Sequence, residues 1–146
     1  MQKWLVRLIV GAVATSGLIA CGGASSPAAS HTFPAESLFE LTSESGQQQI
    51  AVRTAPDQPP ARGVVAVQLT ITDLSTGAAQ SGLGLRVVPW MPVMGHGTSV
   101  KPIVVESAPG IYDLENLVLF MPGTWQVRTE WDESPVAHVN PTFDIR

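Results

Sequence analysis

The stretch VAVQLTIT, residues Val65–Thr72, decides the fold class of this chain. Its larger aliphatic side chains fall at every second position, and from Gln68 onward polar side chains fill the positions between them. Because successive side chains of a β-strand point to opposite faces of a sheet, this period places one face in a core and the other in water. The stretch therefore predicts a strand in a sheet that is buried on one side only.

The same alternation recurs along the rest of the chain. It is clear in Trp125–Trp131 and in Val139–Ile145. Five shorter strand candidates are Phe39–Thr42, Gln48–Thr54, Leu85–Trp90, Pro102–Glu106 and Ile111–Leu114. Clusters of Gly, Pro, Ser and Asp separate the candidates, and no segment keeps a helical period over the length that a helix needs. About eight short strands in this arrangement predict an all-β protein, namely a single antiparallel immunoglobulin-like β-sandwich over residues 38–146.

The apolar faces of these strands are expected to form one core. The predicted core residues are Val65, Val67, Leu69, Leu85, Val87, Tyr112, Leu114, Trp125, Val127, Val139, Phe143 and Ile145. About a hundred residues are sufficient for one such core. Because the chain shows no internal repeat, we expect no second domain.

Residues 1–21 have the organisation of a bacterial lipoprotein signal peptide. Lys3 and Arg7 form a charged region, and Leu8–Ala20 form an apolar region that is too short to span a bilayer as a helix. The sequence LIAC at residues 18–21 then resembles a lipobox, which makes Cys21 the predicted lipidation site and mature N-terminus. The alternative is an ordinary secretory signal with a chance cysteine. Since Cys21 is the only cysteine, no disulfide can form within the chain.

The predicted location follows from this lipobox. Residues 22–37 are rich in Ser, Ala, Pro and Gly, which indicates a flexible tether between the lipid and the domain. Several acyl chains on one cysteine give stable membrane anchoring. Gly22 stands where an aspartate commonly signals retention at the inner membrane. We therefore expect an exported protein, anchored by its lipid to the periplasmic face of the outer membrane if the cell has two membranes.

Charge and motifs argue against several function classes. Removing Lys3 and Arg7 with the signal peptide leaves six basic against twelve acidic residues, a net charge of about −6. We therefore expect no nucleic-acid binding, and repulsion from anionic lipid, with the acyl anchor as the membrane contact. Neither a Gly-x-Ser-x-Gly motif nor the spacing of a zinc site occurs. Asp113 and Glu115 share a strand face and could form a catalytic carboxylate pair, but such pairs are common on protein surfaces. We therefore expect the protein to have no enzymatic activity.

One candidate site lies in the stretch WMPVMGHG, residues 90–97. Apart from the start residue the chain has three methionines, of which Met91 and Met94 lie here and Met121 opens a second Met-Pro pair. Thioether sulfur suits Cu(I), and the imidazole of His96 suits copper as well. A Cu(I) site of Met91, Met94, His96 and Met121 requires the chain to bend between the first two methionines, as proline and glycine allow.

Packing is the alternative explanation of these methionines. Met91, Met94 and Met121 would then fill one end of the sandwich, with their sulfurs against aromatic rings. The candidate rings are those of Trp90, Trp125 and Tyr112. Under this alternative His96 is a hydrogen-bonded loop histidine and no metal binds.

The order of the motifs resembles the YtkA-like family of small exported bacterial domains, which is related in pattern to the FixH-like group. The resemblance rests on MPVMGHG at residues 91–97, on Gly110-x-Tyr112, and on FMPGTW at residues 120–125 followed by an alternating strand. It implies an immunoglobulin-like sandwich without an established enzymatic activity. Similar Met-Pro segments occur in periplasmic domains of copper-handling proteins. Val93 stands where the family pattern often has a histidine or another polar residue, which removes one possible ligand.

Two functions remain open from the sequence. The first is a non-catalytic binding or assembly module of the cell envelope, with an envelope protein as its partner and no cofactor. The second is a periplasmic Cu(I)-binding or copper-handling domain that uses the methionine and histidine site. Sulfurs buried in separate parts of the core would favour the first, and sulfurs that converge at an accessible rim would favour the second.

Overall fold

A computed structural model describes residues 31–133 and 136–146, so the lipobox and residues 22–30 lie outside it. The described residues form ten strands and no helix. This part of the chain therefore contains no helix that could cross a membrane. The strands are β1 (Phe39–Thr42), β2 (Gln48–Ala55), β3 (Gly63–Asp73), β4 (Arg86–Met91), β5 (His96–Gly97), β6 (Ile103–Ala108), β7 (Ile111–Leu119), β8 (Gly123–Trp131), β9 (Ala137–Val139) and β10 (Thr142–Ile145).

The strands form two antiparallel sheets. The first sheet has the order β1-β2-β3-β7-β6, and the second has the order β10-β8-β4-β5, with β9 also paired to β8. One face of each sheet carries the apolar residues of its alternating strands, and the two apolar faces form the core between the sheets. The predicted all-β antiparallel sandwich is confirmed, while its immunoglobulin-like type stays a prediction.

Ten of the twelve predicted core residues are buried. The other two, Leu85 and Val87, pack against the core but are only partly buried. The reason is the short neighbour of β4, since β5 pairs only with Trp90 and Met91 and leaves the beginning of β4 as an open edge. Residues that the sequence did not assign to the core, such as Leu117 and Leu119, are completely buried.

β7 is five residues longer than the sequence predicts. The pair Glu115-Asn116 has the composition of a turn, but it forms a bulge instead. Leu114 pairs with Val67 and Leu117 with Val65, so β7 holds one more residue than β3 between these pairs. Asn116 absorbs the extra residue with a φ of 61°, a conformation that asparagine tolerates better than most residues.

The strand predicted over Val139–Ile145 is divided into β9 and β10, which lie one after the other along β8. The division falls at Asn140 and Pro141. Proline has no N–H to donate to a sheet, but the carbonyl oxygen of Pro141 still accepts a hydrogen bond from the backbone of Val127 at 2.8 Å. The two pieces therefore remain aligned on the same neighbour.

The sandwich has two ends, which we call the rim and the far end. The rim is the end where β3 and β6 begin and β7 ends, since Gly63 pairs with Leu119. The short connection from β7 to β8 places the beginning of β8 at the rim. Since β4 and β10 are antiparallel to β8, both end at the rim. The far end is the opposite one, where β3 ends and β7 begins.

Candidate functional site

The β4–β5 hairpin at the rim carries three of the four predicted copper ligands. Met91 and His96 are directly paired, and Pro92–Gly95 form the turn between them. The backbone N–H groups of Met94 and Gly95 both donate to the carbonyl oxygen of Met91, at 3.2 and 2.9 Å. Gly95 has a φ of 69°, which favours glycine. The bend that the sequence requires between Met91 and Met94 is therefore present.

Met91 lies in the core, at the end of β4. Its side chain is 4% exposed. The methyl carbon Cε lies 3.1 Å from the place that a Cβ of Gly123 would occupy, so the glycine at the start of β8 makes room for the thioether. Met91 is thus packed as an apolar side chain, as the packing alternative predicts.

The other two methionines lie in different surroundings. Met121 is half-buried against the core, and its carbonyl oxygen accepts a 2.9 Å hydrogen bond from Nε1 of Trp125. Met94 is 55% exposed in the turn. His96 is exposed as well, with Nδ1 3.1 Å from the carbonyl oxygen of Gly97. The structure therefore brings the four predicted ligands to one end of the sandwich but gives them different degrees of burial.

Their placement still has one feature that a metal site needs. Paired residues of an antiparallel ladder have side chains on the same face of the sheet, so Met91 and His96 share a face. Gly123, which contacts Met91, is two residues from Met121. Within the described ranges no group of three His, Cys, Asp or Glu side chains could hold a metal ion. A metal at the rim would therefore depend on the thioether sulfurs.

Of the three aromatic rings predicted beside the methionines, only Trp125 lies there. Trp90 precedes Met91 on β4 and lines the opposite, outer face of the second sheet. Tyr112 lies at the far end, where its hydroxyl donates to the carbonyl oxygen of Gln80 at 2.7 Å and accepts from the N–H of Leu83 at 3.0 Å. The sequence placed these two rings wrongly because Trp90 points away from the core at the rim and Tyr112 lies at the opposite end of the sandwich.

A second candidate region, which we name the outer groove, lies on the outer face of the second sheet. It has a volume of about 650 Å³. Its lining residues are Arg86, Val88 and Trp90 from β4, Gln126, Arg128, Thr129 and Glu130 from β8, and His138 and Asn140 from β9 and the residue after it. None of the four predicted copper ligands lines it.

The outer groove joins an aromatic half to a charged half. In the first, the guanidinium carbon of Arg128 lies 4.6 Å from the ring centroid of Trp90, a cation–π contact. In the second, Arg86 donates to Glu130 at 2.8 Å and to Asp132 at 3.0 Å. Val88 is 50% exposed between the two halves.

The signal for the outer groove was present in the sequence. In a strand whose inner face holds Val87 and Met91, the outward positions carry Arg86, Val88 and Trp90, and two of these three are apolar. An outward Val and Trp on a strand whose inward positions are also apolar are the sequence signal of an exposed apolar patch. What the sequence could not give is the pairing of β4 with β8, which brings Arg128 to Trp90.

The comparison with protein families gives one match. The family described as YtkA-like matches residues 44–130. No curated protein and no solved structure matches the chain. The matched range contains β2–β7 and most of β8, and with them the three rim methionines and the β4–β8 part of the outer groove.

Proposed function

This chain belongs to the YtkA-like family, since the family match covers more than half of its 146 residues; on that premise we propose that it is a non-catalytic binding module of the cell envelope. The module is exported, held at the membrane by a lipid on Cys21, and binds a protein partner in the outer groove. The observation that carries the proposal is the groove itself, with Trp90 and Arg128 stacked in its aromatic half.

The composition of the outer groove supports a protein as its occupant. Tryptophan and arginine are the residues most enriched among those that dominate protein interfaces, and Trp90 is held in place by Arg128 before any partner arrives. The exposed Val88 adds apolar area beside them. The Arg86 ion pairs at the charged half offer both signs of charge, which orient a partner more than they strengthen its binding.

The surroundings of the predicted carboxylate pair support a non-catalytic role. Asp113 accepts a 2.9 Å hydrogen bond from Gln68 on the neighbouring strand β3. Glu115 is buried two residues further along β7. Both belong to the first sheet, whereas the outer groove belongs to the second, so the pair and the groove do not form a common site.

Crosslinking in living cells tests the proposed function. A photoreactive amino acid replaces Val88 in the full-length chain, and the matched control carries it at Leu74, which is 49% exposed in a far-end turn. We expect one protein adduct of defined mass from position 88 and none from position 74. The adduct should weaken when Trp90→Ala is added. No adduct at position 88, or the same adducts at both positions, contradicts the proposal.

Copper binding is the second candidate function, and the pairing of Met91 with His96 beside Gly123 favours it. Three thioethers and one imidazole are neutral ligands, which suit Cu(I) better than Cu(II). Met91 would have to turn its sulfur toward the rim, and Met94 in the exposed turn would have to fold over it. The proposed ligand set remains Met91, Met94, His96 and Met121.

Anaerobic titration with Cu(I) against a competing chelator tests this candidate. The variants are Met91→Leu, Met94→Leu, Met121→Leu and His96→Ala, and the control is Val93→Leu in the same turn. Loss of one ligand should weaken binding at least about tenfold, which corresponds to roughly 1.4 kcal/mol. If the parent does not bind, or all four variants bind like the parent, the methionines serve packing alone.

A further inference from the structure

The rim presents apolar side chains to solvent. Six of the nine large apolar side chains that are exposed in the described residues lie there, namely Val64, Val93, Met94, Val100, Ile103 and Phe120. The most exposed are Val93 at 84%, in the β4–β5 turn, and Phe120 at 58%, between β7 and β8. Two separate turns thus hold apolar side chains out of the same end of the sandwich, where they take no part in the core.

The chain also enters the sandwich at the rim. Arg53 donates to the carbonyl oxygen of Ala35 at 3.3 and 3.4 Å, and Gln58 donates to that of Glu36 at 3.0 Å. These bonds hold the last residues before β1 beside the loop from β2 to β3, which is a rim loop. Any anchor that precedes Ala35 in sequence therefore connects to the domain at its rim.

The length of the connection favours an orientation in which the rim faces the membrane. Ala35 lies fourteen residues after Cys21, and even a fully extended chain of that length reaches only about 50 Å. The far end lies about 30 Å beyond the rim, the length of a nine-residue strand such as β7. A lipid on Cys21 can therefore bring the rim to the bilayer without a full extension of the chain between Cys21 and Ala35.

Charge is distributed unevenly between the two ends. The far end carries six carboxylates, those of Glu44, Asp73, Glu106, Glu130, Asp132 and Glu133, with Arg86 as a basic partner. The rim carries three exposed basic residues, Arg62, Lys101 and Arg146, and three exposed carboxylates, those of Glu36, Asp57 and Asp144. The net charge predicts repulsion from anionic lipid for the whole chain, but the excess of acid lies at the end remote from the anchor.

We propose that the rim docks on the lipid headgroup region, with Val93 and Phe120 inserted at the boundary of the acyl chains. The proposal goes beyond the binding function and rests on its lipid anchor at Cys21. Insertion removes apolar area from water, while Lys101 and Arg146 reach the phosphates beside it. The anchor keeps the rim at a high local concentration near the bilayer, so a small apolar contact is sufficient to orient the domain.

Docking in this orientation has a consequence for the outer groove. The groove lies on the side of the sandwich, on the outer face of β4 and β8, and its charged half with Arg86 and Glu130 lies toward the far end. A domain that stands on its rim therefore keeps the groove open to a partner beside it. The acidic far end then points away from the membrane.

Spin labels in the acylated protein test the docking. The full-length chain is made with one added cysteine, Val93→Cys, Phe120→Cys or, as the control, Leu74→Cys, and is purified with its acyl groups. Acylation consumes the native thiol, so the nitroxide attaches at the added cysteine alone. Each protein is placed in vesicles of phosphatidylethanolamine and phosphatidylglycerol. Electron paramagnetic resonance then compares the access of oxygen, which concentrates in lipid, with that of a water-soluble nickel chelate.

We expect the labels at positions 93 and 120 to become severalfold less accessible to nickel and more accessible to oxygen in vesicles than in detergent, and the label at 74 to stay unchanged. If the labels at 93 and 120 behave like the label at 74, the docking is overturned, but the lipid anchor and the proposed binding function are not. Protection in native membranes but not in protein-free vesicles means that a protein covers the rim, and it overturns the assignment to lipid. A purified chain without an acyl group on Cys21 overturns the anchor and the docking together.

Discussion

The two ends of the sandwich are built from different kinds of contact. At the far end, Tyr112 and Glu106 hold the connection between the sheets, because Tyr112 bonds to Gln80 and Leu83 and Glu106 accepts from the backbone N–H groups of Gly82 and Gly110 at 3.0 and 3.1 Å. At the rim, the turns present Val93 and Phe120 to solvent instead. The difference indicates that the far end maintains the fold and that the rim is available for contact.

Hydrogen bonds and burial change the acidity of the far-end groups. The N–H of Gly82, followed by that of Gly110, keeps the pKa of Glu106 below its ordinary value. The Ser75 hydroxyl, with the N–H and hydroxyl of Thr76, lowers the pKa of Asp73 to about 2. Burial raises the pKa of Tyr112. The far-end turns thus depend on carboxylates that remain ionised at mildly acidic pH.

The largest expected effect belongs to the core that both ends share. Leu69 is completely buried in β3, so Leu69→Ala should lower the free energy of unfolding by about 2–5 kcal/mol. Val93→Ala at the exposed rim turn should change it by less than about 0.5 kcal/mol. Urea denaturation of both variants measures the difference. Equal losses would mean that the rim turn carries as much of the folding energy as the core.

A smaller effect is expected from the far-end hydroxyl. Tyr112→Phe keeps the ring but leaves the carbonyl oxygen of Gln80 and the N–H of Leu83 without their partner, which should cost about 1–3 kcal/mol. Phe120→Leu at the rim is the matched aromatic control and should be nearly neutral. The same denaturation measurement compares them. A neutral Tyr112→Phe variant would show that the far-end connection is not held by this hydroxyl.

The smallest effect is a dependence on pH. Because folding lowers the pKa of Asp73 from 3.8 to about 2, its ionised form stabilises the folded state above the unfolded pKa. This contribution should disappear as the pH falls from about 4 to about 2, whereas Asp73→Asn should lack that part of the acid dependence. Thermal unfolding of both proteins across this interval measures it. Parallel curves would show that the carboxylate does not hold the turn.

Alternation made most of the fold predictable from the sequence. Burial on one face leaves a period of two in β3 and β8, and ten of the predicted core residues are buried. The misses arise where the period is broken by local backbone geometry. Asn116 continues β7 through a bulge, and Pro141 interrupts the strand that became β9 and β10.

The candidate site was predictable in part. The bend at Pro92–Gly95 follows from the backbone preferences of its residues and is present. The burial of Met91 could not be predicted, because it depends on Gly123 of another strand lying beside it. The two-residue strand β5 was missed because it is too short to show a period. It also requires Gly97, since a Cβ there would collide with the carbonyl oxygen of Pro89.

Cysteine labelling in cells with a permeabilised envelope tests most directly whether contacts concentrate at the rim and the outer groove. Single variants Val93→Cys, Val88→Cys and Leu74→Cys of the full-length chain are exposed to a hydrophilic maleimide, first in cells with a permeabilised envelope and then after purification. We expect positions 93 and 88 to label slowly in cells and rapidly once purified, and position 74 to label at the same rate in both. Equal labelling of all three positions in cells would contradict this expectation.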